Sequence, residues 1–112
     1  MNNPYLRRRK ATGTVSERRV ATTIRAKPTP ASGALPGAHG DMNKDRWRIE
    51  AKATTKESMG LKLEWLEKIQ REANEGGRHP ALSISFVTAN GQPRPNGDWM
   101  MIPLWLWQEI VG

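Results

Sequence analysis

Residues 46–54, RWRIEAKAT, alternate without a break between charged or polar and apolar side chains. Successive side chains of a β-strand point to opposite faces. Trp47, Ile49, Ala51 and Ala53 therefore share one face, and Arg46, Arg48, Glu50, Lys52 and Thr54 share the other. The segment predicts a strand that turns one face to a core and leaves a charged face to be accounted for.

Helices and strands can be read on either side of it. Thr14-Val15-Ser16-Glu17 fits a capping box and predicts a short helix to about Arg25, with Val15, Val20, Ala21 and Ile24 as its apolar positions. Lys27-Pro28 stops that helix, because a residue before proline avoids helical geometry. Residues 28–40, PTPASGALPGAHG, read as a long loop. Asp41 opens a short strand, and Lys44-Asp45 is a turn. Ser58 caps a predicted helix to about Glu75, whose apolar stripe is Leu61, Trp65, Leu66, Ile69 and Ala73. Gly76-Gly77 ends it. Residues 81–88, ALSISFVT, predict a strand, 89–97 a turn-rich connection, and 98–102 a last strand. Pro103 begins a short helix containing Trp105 and Trp107. The order predicts an α/β fold, with a small mixed central sheet flanked by helices.

The chain has 112 residues, enough for one domain with a small core. No apolar run approaches the roughly 20 residues of a membrane span. The basic run Leu6-Arg7-Arg8-Arg9-Lys10 is followed by polar residues rather than an apolar stretch, so no secretory signal is expected. The absence of cysteine excludes disulfides, thiolate metal sites and a cysteine nucleophile. A cytoplasmic protein is expected.

The net charge of +7 is concentrated. Residues 1–27 hold eight basic side chains (Arg7, Arg8, Arg9, Lys10, Arg18, Arg19, Arg25 and Lys27) against the single acid Glu17. Residues 28–112 hold ten of each sign and cancel. Residues 1–13 show no hydrophobic period and predict a flexible basic arm, with 14–112 as a single domain. Such a cluster suits a polyanion, most often nucleic acid. His39 and His79 each stand beside glycine or proline and read as loop residues. Trp47 and Trp65 fall on predicted buried faces, while Trp99, Trp105 and Trp107 suit an interface or base stacking.

Chemistry converges on the charged face of the alternating strand. Glu50 and Lys52 lie side by side there, about 7 Å apart along the strand. Asp41 precedes them across a turn short enough to pair two strands. Two carboxylates with a lysine are what metal-assisted phosphodiester hydrolysis needs. The carboxylates hold a hard cation, the cation polarises phosphate and water, and the lysine orients the water or stabilises added negative charge. By spacing alone the signal is weak, since cross-strand Glu–Lys pairs are ordinary surface features.

The order of elements adds to it. Glu17-Arg18, Pro30-Ala31-Ser32-Gly33, Asp41 and Glu50-Ala51-Lys52, followed by Ser58-Met59-Gly60-Leu61 and Pro80-Ala81-Leu82, resemble the PD-(D/E)xK nuclease superfamily. The nearest likeness is to archaeal-type Holliday junction resolvases and related phage-encoded endonucleases, over about residues 14–88. The resemblance implies a restriction-endonuclease-like αβββαβ core. It implies Asp41, Glu50 and the carbonyl of Ala51 as ligands of Mg²⁺ or Mn²⁺, and Lys52 as the catalytic lysine. Glu17 would be a further acid of the site, and Ser32 would approach the scissile strand. The sequence departs from the resolvases at Pro28, where they carry an arginine, and at Pro36-Gly37, where they carry a basic run.

The reading is a divalent-metal-dependent DNA endonuclease acting on branched or duplex DNA, with Holliday junctions as a candidate substrate. The resemblance implies products with a 5′-phosphate and a 3′-hydroxyl. A homodimer is the expected assembly, with no membrane partner. Arg7, Arg8, Arg9, Lys10, Arg18, Arg19 and Lys27 are the expected DNA contacts. The alternative is a catalytically silent DNA-binding module with a nuclease-like fold.

Overall fold

The alternating segment forms β3 (Trp47–Thr54), the central strand of a five-stranded mixed sheet. The computed structural model describes residues 4–28 and 40–112, with side chains described for 12–28 and 41–112. The remaining strands are β1 (Lys27–Pro28), β2 (Gly40–Lys44), β4 (His79–Val87) and β5 (Pro93–Met101), in spatial order β1-β2-β3-β4-β5. The helices are α1 (Pro4–Ile24), α2 (Leu63–Glu75) and α3 (Leu104–Val111). The fold is α/β, as expected, and its elements from α1 to β4 follow the order αβββαβ.

The β2–β3 hairpin turns at Asp45-Arg46, where Asp45 has φ 51°, a conformation that aspartate tolerates better than most residues. This turn sets the register Met42↔Ile49 and Asp41↔Glu50. β3 and β4 are parallel, so the chain must cross over between them, and α2 supplies the crossover. Gly77 closes α2 at φ 65°, and the Arg78 N–H donates to the Ala73 carbonyl at 2.7 Å. β5 lies on the sheet edge, which is where Pro93 and Pro95 can be accommodated in a strand. A side chain at Gly97 would collide with the Phe86 carbonyl beside the β-bulge at Ser85/Val87.

The two faces of β3 are covered differently. On one, Val20 and Ala21 of α1 pack with Met42, Ile49, Ala51 and Ala81 into the main core, with Ile24, Trp47 and Ile102 at its edge. On the other lies α2, with Ile69 and Ala73 buried.

Several boundaries differ from the sequence reading. α1 begins at Pro4, so the backbone of residues 4–13 is helical where an arm was expected. Proline at a first helical position is a start signal in its own right. Thr14-Val15-Ser16-Glu17 thus lies inside the helix and caps nothing. Contacts with the β4–β5 connection hold this part of α1: the Thr12 hydroxyl donates to the Ala89 carbonyl at 2.7 Å, and Ser16 is buried. α2 begins at Leu63 rather than Ser58, with Lys62 in the cap position and no side-chain cap. Leu61 is therefore outside the helix and exposed. β5 starts at Pro93, five residues before the expected Asp98. His79 opens β4 instead of lying in a loop, its ring 5.3 Å from that of Trp47.

Candidate metal centre

The charged face of β3 meets α2. Antiparallel partners point to the same face, so Asp41 of β2 lies beside Glu50 of β3. Glu72 reaches the same place from α2. One carboxylate oxygen from each of Asp41, Glu50 and Glu72 lies within 4.8 Å of the other two. Lys52 Nζ stands 3.6 Å from Glu50 Oε1 and 4.5 Å from the centre of the Trp65 ring. The lysine is thus held between a carboxylate and an aromatic face.

Arg48 and Lys68 supply the remaining positive charge. Arg48 Nη2 donates to Asp41 Oδ2 at 2.7 Å and to Glu72 Oε2 at 3.3 Å. Lys68 Nζ lies 3.8 Å from Glu72 Oε1, one helical turn away. The neutralisation is incomplete. Glu50 has a side chain only 5% exposed, and its Oε2 accepts no hydrogen bond among the described residues. Asp41 Oδ1 and Asn43 Oδ1 are buried and equally unpartnered. Burial, then the adjacent Glu50 carboxylate, push the Asp41 carboxyl from an ordinary 3.8 up to about 7, against the opposing pull of Arg48 and Lys68.

Unsatisfied buried carboxylate oxygens are costly unless something fills the space between them. The donor set here is entirely oxygen, anionic and clustered. That suits a hard divalent cation such as Mg²⁺ or Mn²⁺ and does not suit a thiophilic metal. By this test the residues present fit the cation.

The expected residues fall into three groups. Asp41, Glu50 and Lys52 come together as the sequence reading had them. Ala51 lies between the last two, with its methyl in the core on the opposite face. Glu17 does not join the three-carboxylate cluster, and α1, which carries it, packs on the other face of the sheet. Ser32 lies outside the described residues. Among the expected DNA contacts, Arg18 and Lys27 are exposed. Arg7, Arg8, Arg9 and Lys10 lie along the α1 backbone, and their side chains are outside the described set. Arg19 is placed differently from Arg18 and Lys27. Its guanidinium is engaged by both oxygens of Asp98, at 2.7 and 2.8 Å, and by the Gly91 carbonyl at 3.3 Å. That fork ties α1 to β5 and leaves the group committed within the fold.

Glu72, Arg48 and Trp65 were not expected at the site from sequence, where Trp65 reads as a buried residue of the α2 stripe and Arg48 as one of the charged face of β3. Glu72 did carry a signal. It sits three residues after Ile69 and beside Ala73, so an acid occupies the inward stripe of an amphipathic helix. Among the described residues no helix is long and apolar enough to cross a membrane. Comparison with family models, curated proteins and solved structures finds no match to this chain.

Proposed function

We propose that this chain is a divalent-metal-dependent DNA endonuclease of the PD-(D/E)xK type. The observation that carries the reading is the cluster of a buried Glu50 with the half-buried Asp41 and Glu72, in which two buried carboxylate oxygens have no partner among the described residues, beside a fixed Lys52. Asp41 and Glu50 would hold Mg²⁺ or Mn²⁺ from paired strands, and Glu72 would add a ligand from α2. When bound, the cation polarises the phosphate and lowers the pKa of a coordinated water.

The protein's own contribution is placement. The β2–β3 register sets Asp41 against Glu50 without help from a loop. Glu50 and the Trp65 ring hold the Lys52 ammonium, so its charge is already in position to stabilise a developing phosphorane oxygen or to orient the attacking water. The exposed Arg18 and Lys27, with Arg7, Arg8, Arg9 and Lys10, would attract the DNA backbone by neutralising phosphate. DNA is the substrate in this reading, and a second copy of the chain is the expected partner.

The test is incubation with linear, nicked, flapped and four-way DNA, with and without Mg²⁺. Cleavage requiring Mg²⁺ is expected, and Glu50→Gln or Asp41→Asn should abolish it. Lys52→Ala should reduce the rate by orders of magnitude while metal affinity, measured by calorimetry, stays within a few-fold. If both acid variants cut at the parent rate, the site is elsewhere.

One observation favours a second reading. Arg48 already bridges Asp41 and Glu72, as in a site whose acids have been neutralised internally. A silent DNA-binding module would bind the same DNA panel, cut none of it, and show no change in melting temperature with Mg²⁺.

A further inference from the structure

The last nine residues, LWLWQEIVG, include Glu109 as their only charge. They form α3, which follows directly from the end of β5. One side chain of this helix, Leu106, is buried. Leu104, Trp105, Trp107, Ile110 and Val111 are 44–72% exposed. A contiguous apolar face of this kind is unusual on a soluble monomer and marks an interaction surface.

Beside it runs an apolar groove of about 710 Å³ between α2 and the β4–β5 strands. Leu63, Leu66 and Ile69 form one wall, with Leu82, Met101 and Ile102 opposite. Pro103, the residue that caps α3, also lines the groove. One surface thus offers a short apolar helix and, adjoining it, an apolar slot.

We propose that α3 of one copy docks in the α2/β4/β5 groove of a second copy, and the reverse, making a two-fold homodimer. A helix and a slot side by side on one chain are self-complementary under a two-fold axis, where each contact occurs twice. The area is sufficient. The exposed α3 side chains amount to on the order of 600 Å², the groove adds to it, and a standard interface takes roughly 800 Å² from each partner. Charge points the same way. The whole +7 excess lies in residues 1–27, and α3 and the groove both belong to residues 28–112, whose charges cancel. Cover from within the chain is disfavoured by topology. β1 and β2 lie at the sheet edge furthest from β5. α1 is tied by Thr12 to Ala89 and by Arg19 to Asp98, both before α3 begins.

The inference rests on the reading above for a second copy as partner and adds where the copies meet; sedimentation reads mass whether or not the acids cut DNA, so the two can fail separately. The experiment is analytical ultracentrifugation of the full chain, its Trp107→Glu and Leu63→Glu variants, and the double variant Asp41→Asn/Glu50→Gln. The two charge-inserting changes are at exposed positions, and circular dichroism checks that each variant is folded. The parent chain should sediment at twice its 12.6 kDa mass. Each single variant should weaken association at least tenfold, one from the helix side and one from the groove side. The double acid variant should remain dimeric. A monomeric parent chain overturns the proposal, whether α3 then proves covered by its own chain or binds phosphatidylcholine vesicles. A dimer insensitive to Trp107→Glu, or sensitive to it but not to Leu63→Glu, overturns it as well, the latter by showing pairing outside the groove.

Discussion

Met42 and Ile49 face each other across β2 and β3 in an apolar layer sealed by α1. Asp41 and Glu50, one residue away on either strand, face each other under α2, each with one buried oxygen that no described residue satisfies. The backbone is the same ladder. What differs is the parity of the residue and the helix laid over it. The α1 side is built as a core: small and branched side chains, no charge, and close packing. The α2 side gathers three carboxylates, an arginine and two lysines in a space a core would fill with leucine. Burying charge that way stabilises little and often destabilises. The contrast teaches that the α1 face holds the fold together, while the α2 face is held by it.

Substitution on each face sharpens that contrast. Ile49→Ala should cost about 2–5 kcal/mol, as buried truncations do. In a domain of this size that lowers the melting temperature by roughly 10 °C or more. Glu50→Gln, the next residue, should leave the melting temperature unchanged or raise it, because it removes a buried charge beside Asp41 while Lys52 keeps its contact with Trp65. Differential scanning calorimetry of the two variants without metal is the measurement. Equal destabilisation would mean that the charged face is as structural as the apolar one.

A second prediction uses pH. In the folded chain Asp41 keeps its proton up to about pH 7, whereas an unfolded aspartate loses it near 3.8. Between those values the folded state binds more protons. This carboxyl therefore makes stability fall as pH rises through the window, with no further loss above about 7. A cation competes with that proton for the same oxygens. The rise in melting temperature caused by Mg²⁺ should thus be small at about pH 5 and largest at about pH 8. A Mg²⁺ effect independent of pH would place the ion away from Asp41.

The smallest effect belongs to the Arg19–Asp98 fork between α1 and β5. The Arg19 guanidinium holds the Asp98 carboxyl below the ordinary aspartate range. Its contribution is present above the unfolded value near 3.8 and is lost as pH falls through the lower folded one. Asp98 is 43% exposed, so solvent screening limits the pair, and Asp98→Ala should cost about 1 kcal/mol or less at neutral pH. Urea titration at about pH 7 and about pH 3 should show that difference shrinking with acid. A cost of several kcal/mol would make this tie as important as the α1 core.

Local pattern carried much of this molecule. The period of two in residues 46–54 placed Ile49 and Ala51 in the core, and Glu50 and Lys52 together on the other face, because strand geometry depends on neighbours alone. The Gly76-Gly77 stop of α2 and the Pro103 start of α3 were legible for the same reason. Asp41 could be set near Glu50 because a short turn leaves few registers. Contacts far apart in sequence decided the rest. Pro4 rather than Thr14 begins α1, whose early turns lean on Ala89, 77 residues from Thr12. Arg19, which reads from sequence as one more phosphate contact, is taken by Asp98, 79 residues away. Glu72 and Trp65 reach the acids and Lys52 only through the way α2 lies on β3. A strand's alternation follows from bond geometry within a few residues. Which helix covers which face follows from packing the whole chain, and in this protein that packing decided which charges meet.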